Sequence, residues 1–496
     1  MSTPDEPAQS SPAPIVSAAP SQAPAPPAQA PTWPAGTDRP PVTEAIDIST
    51  EPLLGDSWEV TDGNPADEHL EAQFLVSPCG VFVTMLTTSA AERDSLPEDQ
   101  RGLGSRIIGF DIDSGKQLWS HDLRSITGQG DPALYTNPSY TPSCQMVFMT
   151  VDMAPQPQSL FLVSLSIDLF TGANAMVSTD DRVYCQAAGD GWVGCYGETY
   201  EQGSWAVNIN DLSSPGWQEA SDADAYSAHG DIVVDGRIWT PEGYRDPVTG
   251  TVEFGPDTSI GGQPFTVWFT YVEAYTPGGY RSGVVARFAG GMYDADTQCD
   301  LMVWDTGQDT GMWREGQTVP CDGARTLMVS GGALLLTHQP DPQAVSTTSA
   351  YDLADGHLLW QYDGSLLPTP FDQAYSGADK LYGVSQACVF LVSNVGTNAM
   401  SENIVRISDG ASIGVPQFSV NIFSETMAYE AAVGPTGQFN LIAYQINPAD
   451  PGAAPDMVWS VPISDQTQQV WTFATNGTMY VVYGNGSMSV APLLVT

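Results

Sequence analysis

The chain has 496 residues, and 42% of them are apolar, which is enough to bury a large core and excludes wholesale disorder. Its 58 acidic residues against 15 Lys and Arg give a formal net charge of −43. Because a surface this acidic repels phosphate backbones and anionic lipid headgroups, we exclude nucleic-acid binding and electrostatic docking on membranes.

The N-terminal segment, residues 1–45, is rich in Pro, Ala and Ser, and 12 of the chain's 39 prolines precede residue 42. This composition cannot build a core, so it predicts a disordered, extended spacer. The sequence contains no typical signal peptide and no apolar run of membrane-spanning length, which read literally indicates a cytoplasmic protein. Spacers of this kind commonly hold a domain away from a membrane. We therefore expect a bacterial extracytoplasmic protein with an anchor upstream; the alternative is an ordinary tail.

The remaining residues, 46–496, alternate short apolar runs with turn signals. Runs such as "RIIGFDI", "LFLVSLSID" and "LMVWD" alternate apolar and polar residues and reach an Asp at their end, which is typical of strands followed by tight turns. Sustained helical periodicity is almost absent from the sequence. The 48 glycines also favour many short strands joined by turns, so the pattern predicts an all-β domain.

Two segments of the chain share one sequence pattern: "GFDIDSGKQLW" (Gly109–Trp119) and "AYDLADGHLLW" (Ala350–Trp360). Weaker copies of this pattern begin at residues 166, 206, 244, 303, 404 and 443, so the mean period is about 48 residues, as in propeller blades. The repeat positions are Asp111, Gly115, Trp119, Asp168, Gly172, Asp246, Gly250, Phe254, Asp305, Trp313, Asp352, Gly356, Trp360 and Gly410.

Each repeat position has a physical role that its residue type indicates. The Asp accepts backbone N–H bonds in the turn, and the Gly supplies the positive φ that the turn needs. The aromatic residue of the next strand can pack between adjacent sheets. A single sheet cannot bury both of its faces, whereas sheets stacked in a ring can.

This repeat resembles the tryptophan-docking motif of the pyrroloquinoline-quinone-like (PQQ-like) β-propeller family. The resemblance implies an all-β propeller of four-stranded blades over residues 46–496, eight-bladed, with seven as the alternative. It also implies that the C-terminal hairpin pairs with an N-terminal strand near Asp56–Thr61 and so closes the ring.

Seven cysteines favour an oxidising compartment. Cys185 and Cys195 flank a Gly-Asp-Gly turn, so they should face each other across a hairpin and form a disulfide. Cys299 and Cys321 are a second candidate pair, and Cys79 with Cys144 is a third. Buried reduced thiols are the alternative, and one cysteine is left over in any scheme.

Signs of catalysis are scarce in the sequence. Enzymes of the family hold PQQ over Ca²⁺, with a catalytic Asp and often a disulfide between adjacent cysteines. This chain has no Cys-Cys dipeptide and no CxxCH haem site, and it lacks a basic cluster for the carboxylates of PQQ. We therefore assign no catalytic or cofactor-binding residue. Calcium stays open, because the acidic stretches Asp294–Asp300 and Asp305–Gly311 could gather oxygen ligands.

Together these observations predict a non-enzymatic, extracytoplasmic propeller that acts as a binding, sensor or scaffold domain. Its ligand would be a protein, small molecule or glycan of basic character, bound at one end of the axial channel or on the acidic rim. The aromatic stretch Gly261–Tyr280 is a candidate binding surface. The alternatives are a PQQ- and calcium-dependent oxidoreductase and a carbohydrate- or cell-wall-binding module.

Overall fold

The chain divides into two units, Met1–Thr32 and Trp33–Thr496, and every residue that the structure describes lies in the second. The structure is a computed structural model that describes residues 47–495 with gaps. The gaps are 61–69, 78, 94, 142–143, 154–160, 180–182, 189–190, 198–202, 213–214, 220–232, 235–236, 241–242, 255–258, 261–262, 265–272, 275–283, 290–297, 306–309, 312–316, 321–323, 331, 340–344, 367–387, 396–398, 414–421, 424–425, 434–437, 448, 451–454, 465–468, 476–477 and 486.

The N-terminal half of the described chain forms two short strands and then four antiparallel sheets. The short strands are β1 (Leu53–Leu54) and β2 (Trp58–Val60). The first sheet contains β3 (Leu70–Val76), β4 (Val81–Thr88), β5 (Arg106–Asp111) and β6 (Gln117–Asp122). The second contains β7 (Pro132–Tyr140), β8 (Gln145–Asp152), β9 (Leu162–Asp168) and β10 (Asn174–Ser178). The third contains β11 (Val183–Ala187), β12 (Trp192–Gly197), β13 (Gly203–Asn208) and β14 (Pro215–Glu219), and the fourth β15 (Val233–Val234), β16 (Arg237–Thr240), β17 (Gly243–Arg245) and β18 (Val252–Phe254).

The C-terminal half continues in the same way after three short strands, β19 (Ser259–Ile260), β20 (Gln263–Pro264) and β21 (Glu273–Ala274). The fifth sheet contains β22 (Val284–Ala289), β23 (Gln298–Asp305), β24 (Thr310–Gly311) and β25 (Gln317–Pro320). The sixth contains β26 (Ala324–Ser330), β27 (Ala333–His338), β28 (Thr347–Asp352) and β29 (Leu358–Asp363). The seventh contains β30 (Ser365–Leu366), β31 (Cys388–Val395), β32 (Ala399–Arg406) and β33 (Ser412–Ile413), and the eighth β34 (Ile422–Phe423), β35 (Met427–Val433), β36 (Phe439–Gln445) and β37 (Asp456–Ser464). The closing sheet contains β38 (Gln469–Thr475), β39 (Thr478–Asn485) and β40 (Ser487–Leu494).

Helices are minor elements in the described part of the chain. Helix α1 (Ala90–Arg93) and a 3₁₀ turn (Glu98–Gln100) lie between β4 and β5, and helix α2 (Leu123–Thr127) follows β6. Asp122 caps α2 by accepting a hydrogen bond from Ser125 N, and Gly128 ends the helix with φ 73°. None of the helices described is long and apolar enough to cross a membrane.

The fold is an all-β propeller, as the sequence predicts. Most of the sheets are four-stranded antiparallel meanders in which each strand pairs with the next along the chain. The fifth sheet departs from this order, because β24 and β25 both pair with β23. The sixth sheet has a fifth strand, because β21 pairs with β26 in parallel. The number of blades remains a prediction.

The core lies between successive sheets. Between the first and second sheets, Val83 and Ile107 pack with Phe148 and Leu165, all fully or almost fully buried. Similar clusters join the second sheet to the third, the sixth to the seventh and the eighth to the closing sheet. Strand β4 is buried along its whole length, because both faces of a sheet inside a ring meet another sheet.

The closing sheet is completed by the N-terminal strands. Trp58 of β2 lies opposite Val490 of β40, and Leu53 of β1 lies opposite Leu494. The predicted pairing of the C-terminal hairpin with the segment near Asp56–Thr61 is therefore confirmed. The structure adds β1, so that two short strands share the edge of β40.

Two disulfides hold neighbouring strands and sheets together. Cys79 and Cys144 join the turn between β3 and β4 to the corresponding turn of the second sheet, with Cα atoms 5.9 Å apart. Cys185 and Cys195 lie directly opposite each other on β11 and β12, which is the hairpin pairing expected from the sequence. Cys299 lies in β23, but Cys321 is outside the described residues. Cys388 is buried in β31 and takes part in neither disulfide.

Removal of the two disulfides should destabilise the protein unequally. Replacing Cys79 and Cys144 by Ala should lower the free energy of unfolding by about 4 kcal/mol, because this disulfide spans 65 residues of chain. Replacing Cys185 and Cys195 should cost about 3 kcal/mol, because the separation is only 10 residues. Urea titration followed by tryptophan fluorescence measures both values, and the reverse order would contradict the loop-closure explanation.

Candidate functional site

The most regular feature of the described chain is the turn between the third and fourth strands of the sheets. In the first sheet, Asp111 Oδ1 accepts a hydrogen bond from Ser114 N at 2.8 Å, and Gly115 N donates to Asp111 O at 2.9 Å. Gly115 has φ 65°, a conformation that costs glycine little. The side chain and the backbone of the Asp thus fix the turn from both sides.

The same construction recurs in other sheets. Asp168 accepts from Thr171 N at 2.8 Å, Asp246 from Thr249 N at 2.6 Å, and Asp352 from Ala354 N at 2.7 Å. Burial opposes the charge of Asp246, but hydrogen bonds from Thr249 and from Val248 N hold the pKa of this carboxyl below its ordinary value. These repeat aspartates are therefore hydrogen-bond acceptors for their own turns.

Both tryptophans of this pattern that the structure describes, Trp119 and Trp360, contact the corresponding turn of the next sheet. Trp119 is 6% exposed and donates from Nε1 to Leu169 O at 2.7 Å. Its ring lies over Gly172, where an added Cβ would come within 2.6 Å of Trp119 Cβ. Trp360 donates to Ile407 O at 2.6 Å and lies over Gly410 in the same way. The turn glycine thus allows the positive φ of its own turn and also leaves room for the indole of the preceding sheet.

The sequence did not reveal every tryptophan of this kind. Trp58, which lies in none of the copies found in the sequence, donates to Ile112 O at 2.9 Å. Trp459, which ends the weaker copy that begins at residue 443, donates to Ile48 O at 2.7 Å. The spacing conceals the first case, because Asp47 and Trp58 are 11 positions apart, whereas Asp111 and Trp119 are 8 apart. A search that allowed an insertion in the turn would have found it.

For several residues predicted from the sequence, the structure describes only the backbone or nothing at all. Trp313 is outside the described residues. Phe254 ends β18 and Asp305 ends β23, and their side chains are not described. The same limit applies to most of Asp294–Asp300, Asp305–Gly311 and Gly261–Tyr280, so calcium binding and the aromatic surface remain predictions.

The repeated turns carry a series of carboxylates to one edge of the sheets. Because the strands of a meander alternate in direction, the turns between third and fourth strands emerge at the same edge of each sheet. We call this surface the acidic turn face. Its described carboxylates are Asp111, Asp113, Asp168, Asp211, Asp246, Asp352, Asp355, Asp409 and Asp450.

Two carboxylates of the acidic turn face have cationic neighbours. Arg406 Nε donates to Asp409 Oδ1 at 2.8 Å, and this hydrogen bond holds the pKa of Asp409 below its ordinary value. The side chains of Asp355 and His357 are 2.5 Å apart between Oδ1 and Nδ1, and this hydrogen bond raises the pKa of His357. Asp211 and Asp450 are exposed.

One group of side chains on this face has the donor types of a metal site. Ligand atoms of Asp352, Asp355 and His357 lie within 4.8 Å of one another, and two of the three residues are exposed. Two carboxylates with an imidazole suit a transition metal better than calcium, which prefers oxygen ligands alone. Among the residues described, this is where a cation could be held.

The opposite edge of the first two sheets carries a buried ion pair. Arg93 Nε in α1 donates to Asp131 Oδ2 at 2.9 Å, and the Asp131 side chain is 0% exposed. Asp152 accepts hydrogen bonds from Gly130 N and Asp131 N, both at 2.9 Å. The pair joins the β4–β5 insertion to the segment before β7, so it fixes loops rather than presenting charge.

Two tyrosines, Tyr135 and Tyr184, lie on the first strands of the second and third sheets, respectively. Their ring centroids are 6.4 Å apart, and Tyr135 is 40% exposed. Tyr135 occupies a β-bulge of β7, and Tyr184 packs against Met149 and Val151. A bulge redirects a side chain, so Tyr135 has an aromatic face available to solvent.

Comparison with known proteins returns similarity to solved propeller structures. No protein-family model matches the chain, and no curated protein matches its sequence. BamB from Moraxella catarrhalis is 12% identical, over 89% of this chain and 100% of that one, with a TM-score of 0.36. Quinohemoprotein alcohol dehydrogenase ADHIIG from Pseudomonas putida HK5 is 13% identical, over 92% and 79%, with a TM-score of 0.40. The β-propeller domain of the Trilobed protease from Pyrococcus furiosus is 8% identical, over 74% and 95%, with a TM-score of 0.33.

Replacing Trp360 by Ala should remove an anchor between two sheets. We expect a loss of about 3–5 kcal/mol in the free energy of unfolding, because the indole is 8% exposed and donates to Ile407 O. Leu358→Ala, on the same strand and 52% exposed, is the matched control and should change stability by less than about 0.5 kcal/mol. A loss below about 1 kcal/mol for Trp360→Ala in urea titration would mean that this contact does not hold the sheets together.

Titration of His357 should show the effect of its carboxylate neighbour. NMR should give a pKa above the ordinary 6.5 for His357, and Asp355→Asn should bring it back toward 6.5. Because the folded-state pKa is raised, the contribution of this pair to stability is complete below pH 6.5 and disappears as the pH rises through the folded-state value. An unchanged pKa in Asp355→Asn would show that the hydrogen bond does not form in solution.

Proposed function

We propose that this chain is a non-enzymatic, extracytoplasmic propeller that binds a basic partner through its acidic turn face. The observation that carries the proposal is the repetition of carboxylates on turns of the first four sheets and of the sixth to the eighth, in a chain of net charge −43. Capping hydrogen bonds hold these turns, and those of the first, second, fourth and seventh sheets also receive a tryptophan from the preceding sheet. A rigid array of like charges favours a ligand with complementary positive charge.

The structural role of the repeat aspartates supports a binding function over catalysis. The carboxylates of Asp111, Asp168, Asp246 and Asp352 accept hydrogen bonds from their own turns. A general acid or base must instead direct its proton-transferring atom at a substrate. The repeat thus explains these aspartates through turn geometry alone.

The two disulfides support a position outside the cytoplasm. Disulfides form and persist in oxidising compartments such as the bacterial periplasm and the cell surface. Placement on a bacterial cell surface, held by the Pro-rich spacer, completes the proposal.

The proposal predicts salt-dependent binding of a basic probe, here a fluorescent decalysine peptide. Fluorescence anisotropy should show an affinity that falls about tenfold or more between low and high salt, because exposed charges are screened. Replacing three exposed carboxylates of the acidic turn face, Asp211, Asp355 and Asp450, by Asn should weaken binding at least about threefold.

The matched control removes the same charge from elsewhere on the surface. Glu59→Gln, Asp99→Asn and Asp363→Asn alter exposed residues toward the opposite edge of the sheets, and this variant should bind decalysine nearly as well as the parent. Equal affinity of the two triple variants would show that net charge alone attracts the peptide. Binding that ignores salt would contradict the electrostatic mechanism itself.

Two further measurements test the alternative functions, an oxidoreductase and a carbohydrate-binding module. Titration with PQQ in calcium buffer, followed by an alcohol and an artificial electron acceptor, should give no turnover. Turnover would overturn the non-enzymatic assignment. Saturable binding to an oligosaccharide array, abolished by Tyr135→Ala, would favour a carbohydrate-binding module instead.

A further inference from the structure

Residues 47–60 contact three sheets: the eighth, the closing and the first. The first contact that anchors this segment is made by Ile48 on the eighth sheet. Ile48 is 0% exposed, and its N–H donates to Tyr429 Oη at 2.9 Å. Trp459 Nε1 donates to Ile48 O at 2.7 Å, and Thr426 N donates to Asp47 Oδ1 at 3.2 Å. A single isoleucine thus occupies a site built by residues far away along the chain.

The second anchor of the segment lies on the first sheet. Trp58 Nε1 donates to Ile112 O at 2.9 Å. Its ring lies over Gly115, where an added Cβ would be 2.3 Å from Trp58 Cγ, and it packs against Phe82 and Phe110 with centroids 5.8 and 5.5 Å away. The segment is therefore held at one end by the fully buried Ile48 and near the other by the partly buried indole of Trp58.

The middle of the segment has only short backbone pairing, while Leu54 packs against the core between the eighth and closing sheets. Strands β1 and β2 pair with β40 through 2 and 3 residues, and between them the backbone bond from Gly55 N to Pro492 O (2.8 Å) is the contact described. Leu53 is 60% exposed, although Leu494 lies directly opposite. Short, interrupted pairing of this kind leaves the strand edge only partly covered.

The acceptor for this segment is formed by residues outside it. It comprises Tyr429 and Trp459 on the eighth sheet, the edge of β40, and the Ile112–Gly115 turn of the first sheet. Main-chain pairing to a sheet edge together with side-chain anchors is how proteins bind peptides by β-augmentation. The acceptor therefore has the properties of a peptide-binding site occupied by the chain's own residues.

We propose that residues 47–60 are a detachable closing strand, and that their acceptor also binds the same segment of a second copy of this chain. Every copy carries both the segment and the acceptor, so exchange between two copies can be reciprocal, as in domain swapping. Nine residues lie between Val60 and Leu70, so the path between the two Cα atoms is at most about 35 Å when extended. The Ile112–Gly115 turn of the acceptor belongs to the acidic turn face, but the exchange requires no ligand on that face.

A mixing experiment with the full-length chain tests the exchange directly. One variant carries Leu53→Cys and a second carries Leu494→Cys, two positions that face each other across β1 and β40. After incubation of the two variants together and mild oxidation, mass spectrometry should detect a disulfide between the two chains. Leu358→Cys, a comparably exposed position on β29, replaces Leu494→Cys in the control mixture and reports random collision.

The yield relative to the control decides the question. Exchange predicts at least about tenfold more mixed disulfide with Leu494→Cys than with Leu358→Cys, because only the first pair is juxtaposed in an exchanged dimer. Adding Trp58→Ala to the Leu53→Cys chain should remove the excess if the segment needs this anchor to dock. No excess over the control would overturn the proposal.

A second measurement keeps the test valid if oxidation is inefficient. A protease sequence placed between residues 61 and 69 of the full chain is cut after folding, and a labelled peptide of residues 47–60 is added. The peptide should exchange into the cut chain, and a Leu53→Ala peptide should bind within about twofold of it, because Leu53 is exposed. Peptides with Ile48→Ala or Trp58→Ala should bind about tenfold more weakly or worse.

The outcomes of the peptide experiment are unambiguous. Failure of the peptide to enter a cut chain that remains folded by circular dichroism would show that residues 47–60 are a permanent strand. Unfolding of the cut chain, or equal binding of all four peptides, would overturn the proposal as well.

Discussion

The contact between the indole of one sheet and the turn of the next is the interaction on which the structure depends. A four-stranded meander has two apolar faces and cannot fold alone, because one face would remain in water. The indole covers much apolar area, and its N–H satisfies a backbone carbonyl that would otherwise be buried without a partner. Trp119, Trp217 and Trp360 each make this hydrogen bond to the following sheet, to Leu169 O, Asp246 O and Ile407 O. One side chain thus supplies both the apolar packing between two sheets and a hydrogen bond to a backbone carbonyl.

The same constraint explains why the acidic turns are rigid. A turn that receives an indole must keep its carbonyl in place, and the Asp and Gly of the repeat fix that geometry. The carboxylate that caps the turn also remains close to solvent at the edge of the sheet. A structural requirement, repeated along the chain, therefore produces a surface of regularly placed negative charge, and this is the surface to which we propose that a basic partner binds.

Ring closure extends this interaction to residues at opposite ends of the chain. Trp459 and Trp58 flank the closing sheet, and each repeats the contact seen between ordinary neighbours. Tyr480 strengthens the same region by donating to Asp113 Oδ1 at 2.6 Å, and burial together with this carboxylate raises the pKa of Tyr480. Because the segment 47–60 supplies both an acceptor carbonyl and an indole, the integrity of the ring depends on a few N-terminal residues.

The sequence by itself determined those elements that are specified by residues close together in the chain. Asp and Gly at fixed spacing specify a turn, alternating apolar residues specify a strand, and a period of about 48 residues specifies repeated sheets. The hairpin pair Cys185 and Cys195 was also visible, because a short turn places the two residues opposite each other. Only the tertiary structure decided which turn each tryptophan contacts, how Cys79 meets Cys144, and that Ile48 and Trp58 belong to the repeat. These contacts join residues between 29 and 411 positions apart, and local sequence patterns do not encode which distant surfaces will meet.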